Sequence, residues 1–237
     1  MLSLSKHCPS SHQEERHFDK LSANGVIKLL SLAILALATP AAAQEPAKVR
    51  VRLETSAGPI LIAVDTKRAP ATAKNFLAYV DDGRFDGVTF YRAARSKRTP
   101  GTGFVQGGIR TDARRILPPF PLEPTSKTGI RHLDATISMA RGATPEAAGG
   151  NFFITVGPAP SMDARPGYPG YAAFGSVIGG MAAVKRILAV KTGGGFDAFR
   201  GQMILKPIRI TRAVRLDGVK RPTKLPRMWL TGPKRAP

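Results

Sequence analysis

The chain has 237 residues, 43% of them apolar, and a formal net charge of +20. That length and apolar content suit one packed domain with extensions and exclude disorder throughout. The charge bears on solubility and partners rather than fold, and leaves nucleic acid, anionic lipid and acidic surface polymers all open.

Residues 26–44 read VIKLLSLAILALATPAAAQ. Lys28 precedes an apolar run from Leu29 to Ala38, and Ala41-Ala42-Ala43 fits small-residue cleavage. This predicts an export signal cut before Gln44, and hence a periplasmic or secreted location. The run is too short for a comfortable membrane span. Residues 1–25 are polar, lack periodicity and read as an overextended translation start. The expected organisation is a leader and signal peptide over 1–43, one domain over 44–215, and a basic, proline-rich tail over 216–237. The sole cysteine, Cys8, is removed with the leader, so an internal disulfide framework and a thiol nucleophile are excluded. One histidine, His132, remains, and the charge becomes +19, because residues 1–43 hold four Lys/Arg against three Asp/Glu.

Within the domain, Val49 to Val64 alternates on both sides of Ser56-Ala57-Gly58-Pro59 and predicts a hairpin. Pro70 suits a first helical turn, Phe76, Leu77 and Val80 form an apolar stripe, and Asp81-Asp82-Gly83 ends that helix. After the Asp86-Gly87 turn, residues 88–92 read as a strand, followed by a basic loop carrying Arg95, Lys97 and Arg98. Residues 111–135 are rich in proline and polar residues and predict a long loop. Strands are expected at 137–140, 151–156 and 172–179, separated by loops. Met181, Val184, Ile187 and Leu188 have helical spacing, broken by Gly193-Gly194-Gly195. Residues 203–214 return as strand, with Pro207 marking an edge or bulge. The tail from 216 reads as a flexible extension. Many short strands with two helices predict a closed antiparallel barrel or a sandwich with helical plugs.

Several chemistries find little support. A Ser-His-Asp triad needs a histidine base, and His132 lies in a loop where a surface position is expected. Zinc needs clustered His, Cys and carboxylate ligands, which one histidine without cysteine does not supply. No Walker pattern is present, and the 193–195 glycines follow a helix, so a phosphate cradle is a weak reading. Asp81-Asp82 reads as a pair of solvated turn residues.

Six segments occur in one order: Ala69-Pro70 with Asn75-Phe76; Asp86-Gly87-Val88-Thr89-Phe90-Tyr91-Arg92; Gly103-Phe104-Val105-Gln106-Gly107-Gly108; Ile137-Ser138-Met139-Ala140; Asn151-Phe152-Phe153-Ile154; and Ala173-Phe174-Gly175-Ser176-Val177. Together, across about residues 49–214, they resemble the cyclophilin-type peptidyl-prolyl cis-trans isomerases. The resemblance implies a mainly β fold, a closed eight-stranded antiparallel β-barrel capped by two α-helices. It implies rotation about X–Pro peptide bonds to assist folding of exported proteins, with no cofactor and no metal.

Such rotation makes and breaks no bond to carbon, so it needs no nucleophile. It needs a donor that stabilises the twisted amide more than the planar one, and a guanidinium suits because it keeps its proton. By resemblance Arg92 is that donor, and Gln106 holds the substrate carbonyl or orients Arg92. Phe153 floors an apolar pocket for the proline ring, with Met162 as a wall. Ala140, Arg141 and Asn151 hold the extended peptide.

Four departures from the family pattern stand out. The loop after Arg92 is longer. Gly103 occupies the place of an aromatic three before the glutamine, with Phe104 one step closer. Asn151 stands for a glutamine. Segment 157–172 lacks the family's tryptophan and histidine, and Tyr171 falls near the histidine place. The alternative is a catalytically weak binding module or chaperone that keeps the proline groove. The expected partners are proline-containing polypeptides, with no specific nucleic acid. The charge allows weak electrostatic contact with anionic envelope surfaces, and a monomer is expected.

Overall fold

The computed structural model describes residues 45–142, 144 and 148–225. The leader and signal peptide expected over 1–43, and tail residues 226–237 with Trp229, lie outside the described residues.

The alternating pattern of the first hairpin becomes β1 (Lys48–Thr55) and β2 (Ile60–Asp65), paired from Lys48↔Asp65 to Leu53↔Ile60. Val49, Val51 and Leu53 are fully buried while Arg50 and Arg52 face out, as strand alternation dictates. The remaining strands are β3 (Thr89–Arg95), β4 (Gly103–Gly108), β5 (Thr136–Met139), β6 (Asn151–Val156), β7 (Ala172–Gly179), the two-residue β8 (Thr192–Gly193) and β9 (Met203–Arg215). They are neighbours in the order β1-β2-β7-β5-β6-β4-β3-β9, and β9 returns to pair with β1. This closes an eight-stranded antiparallel barrel, and β8 adds to the side of β9. Closure removes free sheet edges. Between β3 and β9 the register steps from Phe90↔Ile208 to Arg92↔Met203, so β9 bulges over the stretch that holds Pro207. A proline fits there because a bulged residue need not donate to the ladder.

Two helices cap the barrel, α1 (Pro70–Asp81) and α3 (Met181–Ala189), and α2 (Thr125–Thr128) is a single turn. The stripe Phe76, Leu77 and Val80 is buried as expected, and Phe76 packs on Phe85, Phe152 and Phe174 with ring centroids 5.0–5.7 Å apart. No side chain adjacent in sequence caps α1. Glu123 does so from the long loop, accepting bonds from the Ala71 and Thr72 amides at 3.1 and 2.7 Å and from the Thr72 hydroxyl at 2.7 Å. That carboxylate satisfies helix donors that would otherwise be orphaned.

Three expectations need correction. The 111–135 loop contains two short helical pieces, a 3-10 turn at Ala113–Arg115 capped by Asp112 and the turn α2. Asp81 and Asp82 are buried rather than solvated, with side chains 1% and 8% exposed, because they meet Arg215 and Arg84. The tail is not free from residue 216. The Arg221 amide donates to Asp81 at 2.9 Å and the Thr223 amide to Asp82 at 2.7 Å. Arg84 donates to the Leu225 carbonyl at 2.8 Å. Asp217 pairs with Arg50 on β1, and residues 221–225 are tied to the end of α1 through Asp81, Asp82 and Arg84, charges that composition alone assigns to solvent.

Candidate active site

Strand pairing puts one row of side chains on the outer face of the barrel. Arg92 on β3 is opposite Gln106 on β4, Gln106 is opposite Phe153 on β6, and Phe153 is opposite Ser138 on β5. Their neighbours in sequence, Val105, Phe152 and Ile154, are fully buried in the core. The row follows from period-two alternation on strands whose inner face is fixed by the core.

A bulge adds one more group. On β3 the register shifts between Phe90 and Arg92, so Tyr91 is an extra residue in the pairing with β4. Bulges re-aim side chains, and here both Tyr91 and Arg92 reach Gln106. Arg92 Nη1 donates to Gln106 Oε1 at 3.1 Å, and Gln106 Nε2 donates to the Tyr91 hydroxyl at 2.8 Å. Tyr91 in turn donates to Asn151 Oδ1 at 3.2 Å. The Asn151 side chain accepts from the Arg110 amide at 2.8 Å and donates to the Arg110 carbonyl at 2.9 Å.

This chain sets the direction of each bond. The Arg110 backbone orients the Asn151 amide, Asn151 Oδ1 accepts the hydrogen bond of the Tyr91 hydroxyl, and Gln106 is left with its carbonyl toward Arg92. Burial pushes the Tyr91 phenol up to about 12, so it stays a neutral donor. Burial lowers the Arg92 guanidinium from its ordinary value, and it remains a cation. A partly desolvated cation acts more strongly on nearby dipoles than one in water.

Arg92 has further partners. Its Nε donates to Gln202 Oε1 at 2.9 Å and its Nη2 to the Ala198 carbonyl at 3.1 Å. The Phe104 and Phe199 rings lie 4.9 and 4.2 Å from its Cζ.

Beside the guanidinium is an aromatic cluster. The Phe153 ring is 5.5 Å from Phe104, 5.4 Å edge-on from Tyr171 and 5.8 Å stacked on His132. Phe104, the aromatic one place closer to the glutamine, thus joins the site. Gly103 could not carry an aromatic: at φ +144° its Cβ would meet the Ala94 carbonyl oxygen at 2.1 Å. Met162 ends the 3-10 turn Pro160–Met162, and its carbonyl accepts from the Tyr171 amide at 3.1 Å. Arg141 lies over the Tyr171 ring at 5.1 Å and donates to the Gly170 carbonyl at 2.9 Å. Ala140 donates its amide to the Asn151 carbonyl at 2.9 Å. The structure therefore gathers Arg92, Gln106, Phe104, Phe153 and Tyr171. Met162, Ala140 and Arg141 join this group through Tyr171 and Asn151, and the Asn151 side chain, on the same face as Phe153, is held by Tyr91 and the Arg110 backbone.

His132 is 1% exposed, which corrects its expected surface position. Its Nδ1 is 2.7 Å from Asp163 Oδ1 and its Nε2 is 3.0 Å from Ser138 Oγ. Burial pushes its pKa below the ordinary value against the pull of Asp163, so the ring is neutral, with Nδ1–H donating to the carboxylate. This is the order of a nucleophile–base–acid chain. Yet Ser138 has no exposed surface, and the imidazole lies against Phe153, so no acyl group reaches the hydroxyl. The hydrogen-bonded Asp163–His132–Ser138 group instead lies against one face of the Phe153 ring.

Sequence reasoning missed Tyr91, His132, Phe199 and Gln202. Only Tyr91 carried a local signal, an aromatic abutting the arginine at a strand end. The others reach the site through tertiary closure.

Comparison with known proteins agrees with this geometry. The family model for cyclophilin-type peptidyl-prolyl cis-trans isomerases (the family's description also includes CLD) matches residues 50–215. Peptidyl-prolyl cis-trans isomerase A of Dickeya dadantii is 37% identical over 142 residues, covering 60% of this chain and 72% of its own. The cyp18 isomerase of Streptomyces antibioticus is 36% identical over 146 residues, covering 60% of this chain and 85% of its own. A crystal structure of a cyclophilin-type isomerase from Cryptosporidium parvum superimposes with a TM-score of 0.55 at 21% identity, covering 73% of this chain and 99% of the other, and so supports the fold. A family match running from the first barrel strand to the last, over the strands that present the Arg92–Gln106–Phe153 row, places this chain in the cyclophilin-type peptidyl-prolyl cis-trans isomerase family.

Proposed function

We propose that the chain is a peptidyl-prolyl cis-trans isomerase acting on proline-containing polypeptides. The observation that carries this reading is a buried-edge guanidinium, Arg92, fixed by Gln106 beside the apolar floor Phe153. Rotation of an ordinary amide faces about 18–20 kcal/mol, all of it from resonance, and unaided X–Pro isomerisation takes tens to hundreds of seconds. The proline ring rests on Phe153 between Phe104, Tyr171 and Met162. As the amide twists, the proline nitrogen loses conjugation and gains basicity. A guanidinium N–H is then bonded more strongly than in either planar isomer, which lowers the barrier. Gln106 holds Arg92 in register, and Ala140 and Arg141 hold the extended peptide. No group is transferred, so the site stays small, apolar and sparsely polar.

The expected export signal supports a place of work outside the cytoplasm, on exported proteins; a monomer is expected. The charge of +20 supports weak, salt-sensitive contact with anionic envelope surfaces. N-terminal sequencing of the secreted protein checks the first point, and a mature start well before residue 40 counts against it.

The test of function is cis-to-trans isomerisation of a proline tetrapeptide by wild type and Arg92→Ala. Acceleration that falls at least tenfold in the variant, about 1.4 kcal/mol of transition-state stabilisation, supports the reading. A folded wild type that binds the peptide without accelerating it replaces the isomerase with a proline-binding module.

A further inference from the structure

The loop from Gly194 to Gln202 follows β8 and lies outside the six sequence segments that carry the resemblance. It is built rather than slack. Its ends are joined by the Gly201 amide on the Gly194 carbonyl at 2.6 Å, and inside it the Phe199 amide bonds the Phe196 carbonyl at 2.8 Å. The Gln202 amide then bonds the Phe199 carbonyl at 2.9 Å, after the 3-10 turn Asp197–Phe199. At Gly195, φ is +75° and a Cβ would meet the Phe199 carbonyl oxygen at 2.4 Å, so the closed shape requires glycine there. The Gln202 carbonyl accepts from the Ala93 amide at 3.0 Å, which ties the loop to the residue after Arg92.

Besides that backbone bond, three groups of this loop meet on the Arg92 side chain. Gln202 Oε1 takes the Arg92 Nε–H, the Ala198 carbonyl takes an Nη2–H, and the Phe199 ring lies 4.2 Å from the Cζ. With Gln106 on Nη1, three of the five guanidinium N–H groups are engaged within the described residues. One N–H on each terminal nitrogen is left for a peptide. A long arginine side chain carries about 2 kcal/mol of rotamer entropy, and a donor that must meet a twisting amide gains from being ordered in advance. Phe199 is 36% exposed and Phe196 74% exposed, so burial in the core does not explain aromatic residues at these places. We propose that the 194–202 loop is a clamp in which Gln202, Phe199 and the Ala198 carbonyl are positioning elements that preorganise Arg92. The inference rests on the isomerase reading above for its catalytic consequence, and on geometry alone for the clamp.

The test uses the full chain carrying Phe199→Ala, Gln202→Ala, or their conservative counterparts Phe199→Tyr and Gln202→Glu. Each alanine variant is expected to lose about tenfold in kcat/KM while the Kd for a proline peptide stays within twofold, since the apolar floor is untouched. The conservative variants are expected to stay within about threefold of wild type. Nitrogen-15 NMR of the Arg92 Nε–H, assigned by its loss in Arg92→Lys, supplies a readout independent of turnover. The signal is expected to be sharp and slow to exchange in wild type, and to exchange rapidly in Gln202→Ala. Unchanged turnover with an unchanged Nε–H signal overturns the clamp. Faster turnover in the alanine variants also overturns it and makes the loop an obstruction. A wild type with no isomerase activity refutes the preceding reading, and the Nε–H signal then still decides whether the loop holds Arg92.

Discussion

Asp82→Ala is the perturbation that best separates the structure from a composition-based view of the same residues. The Asp82 side chain is 8% exposed and takes three bonds: the Thr223 amide at 2.7 Å, the Thr223 hydroxyl at 2.5 Å and Arg84 Nε at 2.8 Å. Arg84 is 2% exposed; its Nη2 reaches the Leu225 carbonyl, and its Nη1 has no hydrogen-bond partner among the described residues. Removing Asp82 leaves a buried guanidinium with one neutral acceptor. Thr223 is only partly buried, so water can replace its lost bonds at little cost. The loss is therefore governed by the stranded cation, and breaking a buried pair by deleting one partner costs about 3–5 kcal/mol. A solvated pair would cost about 0–1 kcal/mol.

Urea unfolding of the full chain, followed by far-ultraviolet circular dichroism, reads the difference as a fall in midpoint at constant slope. Asp82→Ala/Arg84→Met, which removes both charges, is expected to recover most of the loss. A loss below about 1 kcal/mol, or a double variant no better than the single, refutes the buried-pair argument. The pH dependence adds a sign. Burial alone would raise the Asp82 carboxyl, but bonds from Thr223 and Arg84 outweigh it and hold the group below its usual range. Its contribution is present above the unfolded value of about 3.9 and is lost as pH falls through the folded value, so the gap between wild type and Asp82→Ala narrows below about pH 4. Asp81 runs the other way: burial raises it, so its ionisation costs stability as pH rises.

Other outcomes follow from equally local geometry. Glu123→Ala removes the distant cap of α1 and is expected to lower stability by about 2 kcal/mol, read by the same titration. Gly103→Ala must place a Cβ 2.1 Å from the Ala94 carbonyl oxygen at φ +144°; thermal unfolding should show a loss of about 2–3 kcal/mol, and no loss would mean that β3 and β4 pair in another register. Tyr91→Phe breaks the relay from Asn151 to Gln106 and is expected to lower kcat/KM by about threefold to tenfold in the tetrapeptide assay with little change in fold. His132, neutral and held below its ordinary value by burial, favours the folded state above about pH 6.5; that advantage is lost as pH falls through its folded value. His132→Gln should flatten the fall in stability below about pH 6.5.

Much of the barrel was legible because alternation is a local property. Val49 to Val64, residues 151–156 and 172–179 each declare their inward face within a few residues, and Pro70 marks the start of α1. Arg92, Gln106 and Phe153 came through resemblance, and pairing brings them into one row. What stayed hidden depends on distance along the chain. Glu123 caps a helix 51 residues earlier, Thr223 covers Asp82 from 141 residues away, and Gln202 holds Arg92 across 110 residues. Composition read Asp81-Asp82 and the tail as solvent-facing because charges usually are. Asp81 instead meets Arg215 from the last barrel strand, and Asp82 meets Arg84 and the Thr223 backbone.

The aromatic beside Gln106 shows how little geometry the site demands of the sequence. In an alternating strand, residue 103 points to the opposite side from 106, and residue 104 points to the same side. Gly103 sits against the Ala94 backbone and admits no side chain. Phe104, on the face of Gln106, stands 5.5 Å from Phe153 and 4.9 Å from the Arg92 guanidinium. A one-place displacement that looks like a lost wall in the sequence is thus what strand parity requires for an aromatic to flank the arginine in this register. The same parity puts Phe153 outside and Phe152 in the core, so Phe104 and Phe153 reach the outer face for one physical reason. The Phe104 and Phe153 rings touch each other there, and Arg92 beside them is held by hydrogen bonds to Gln106, Ala198 and Gln202.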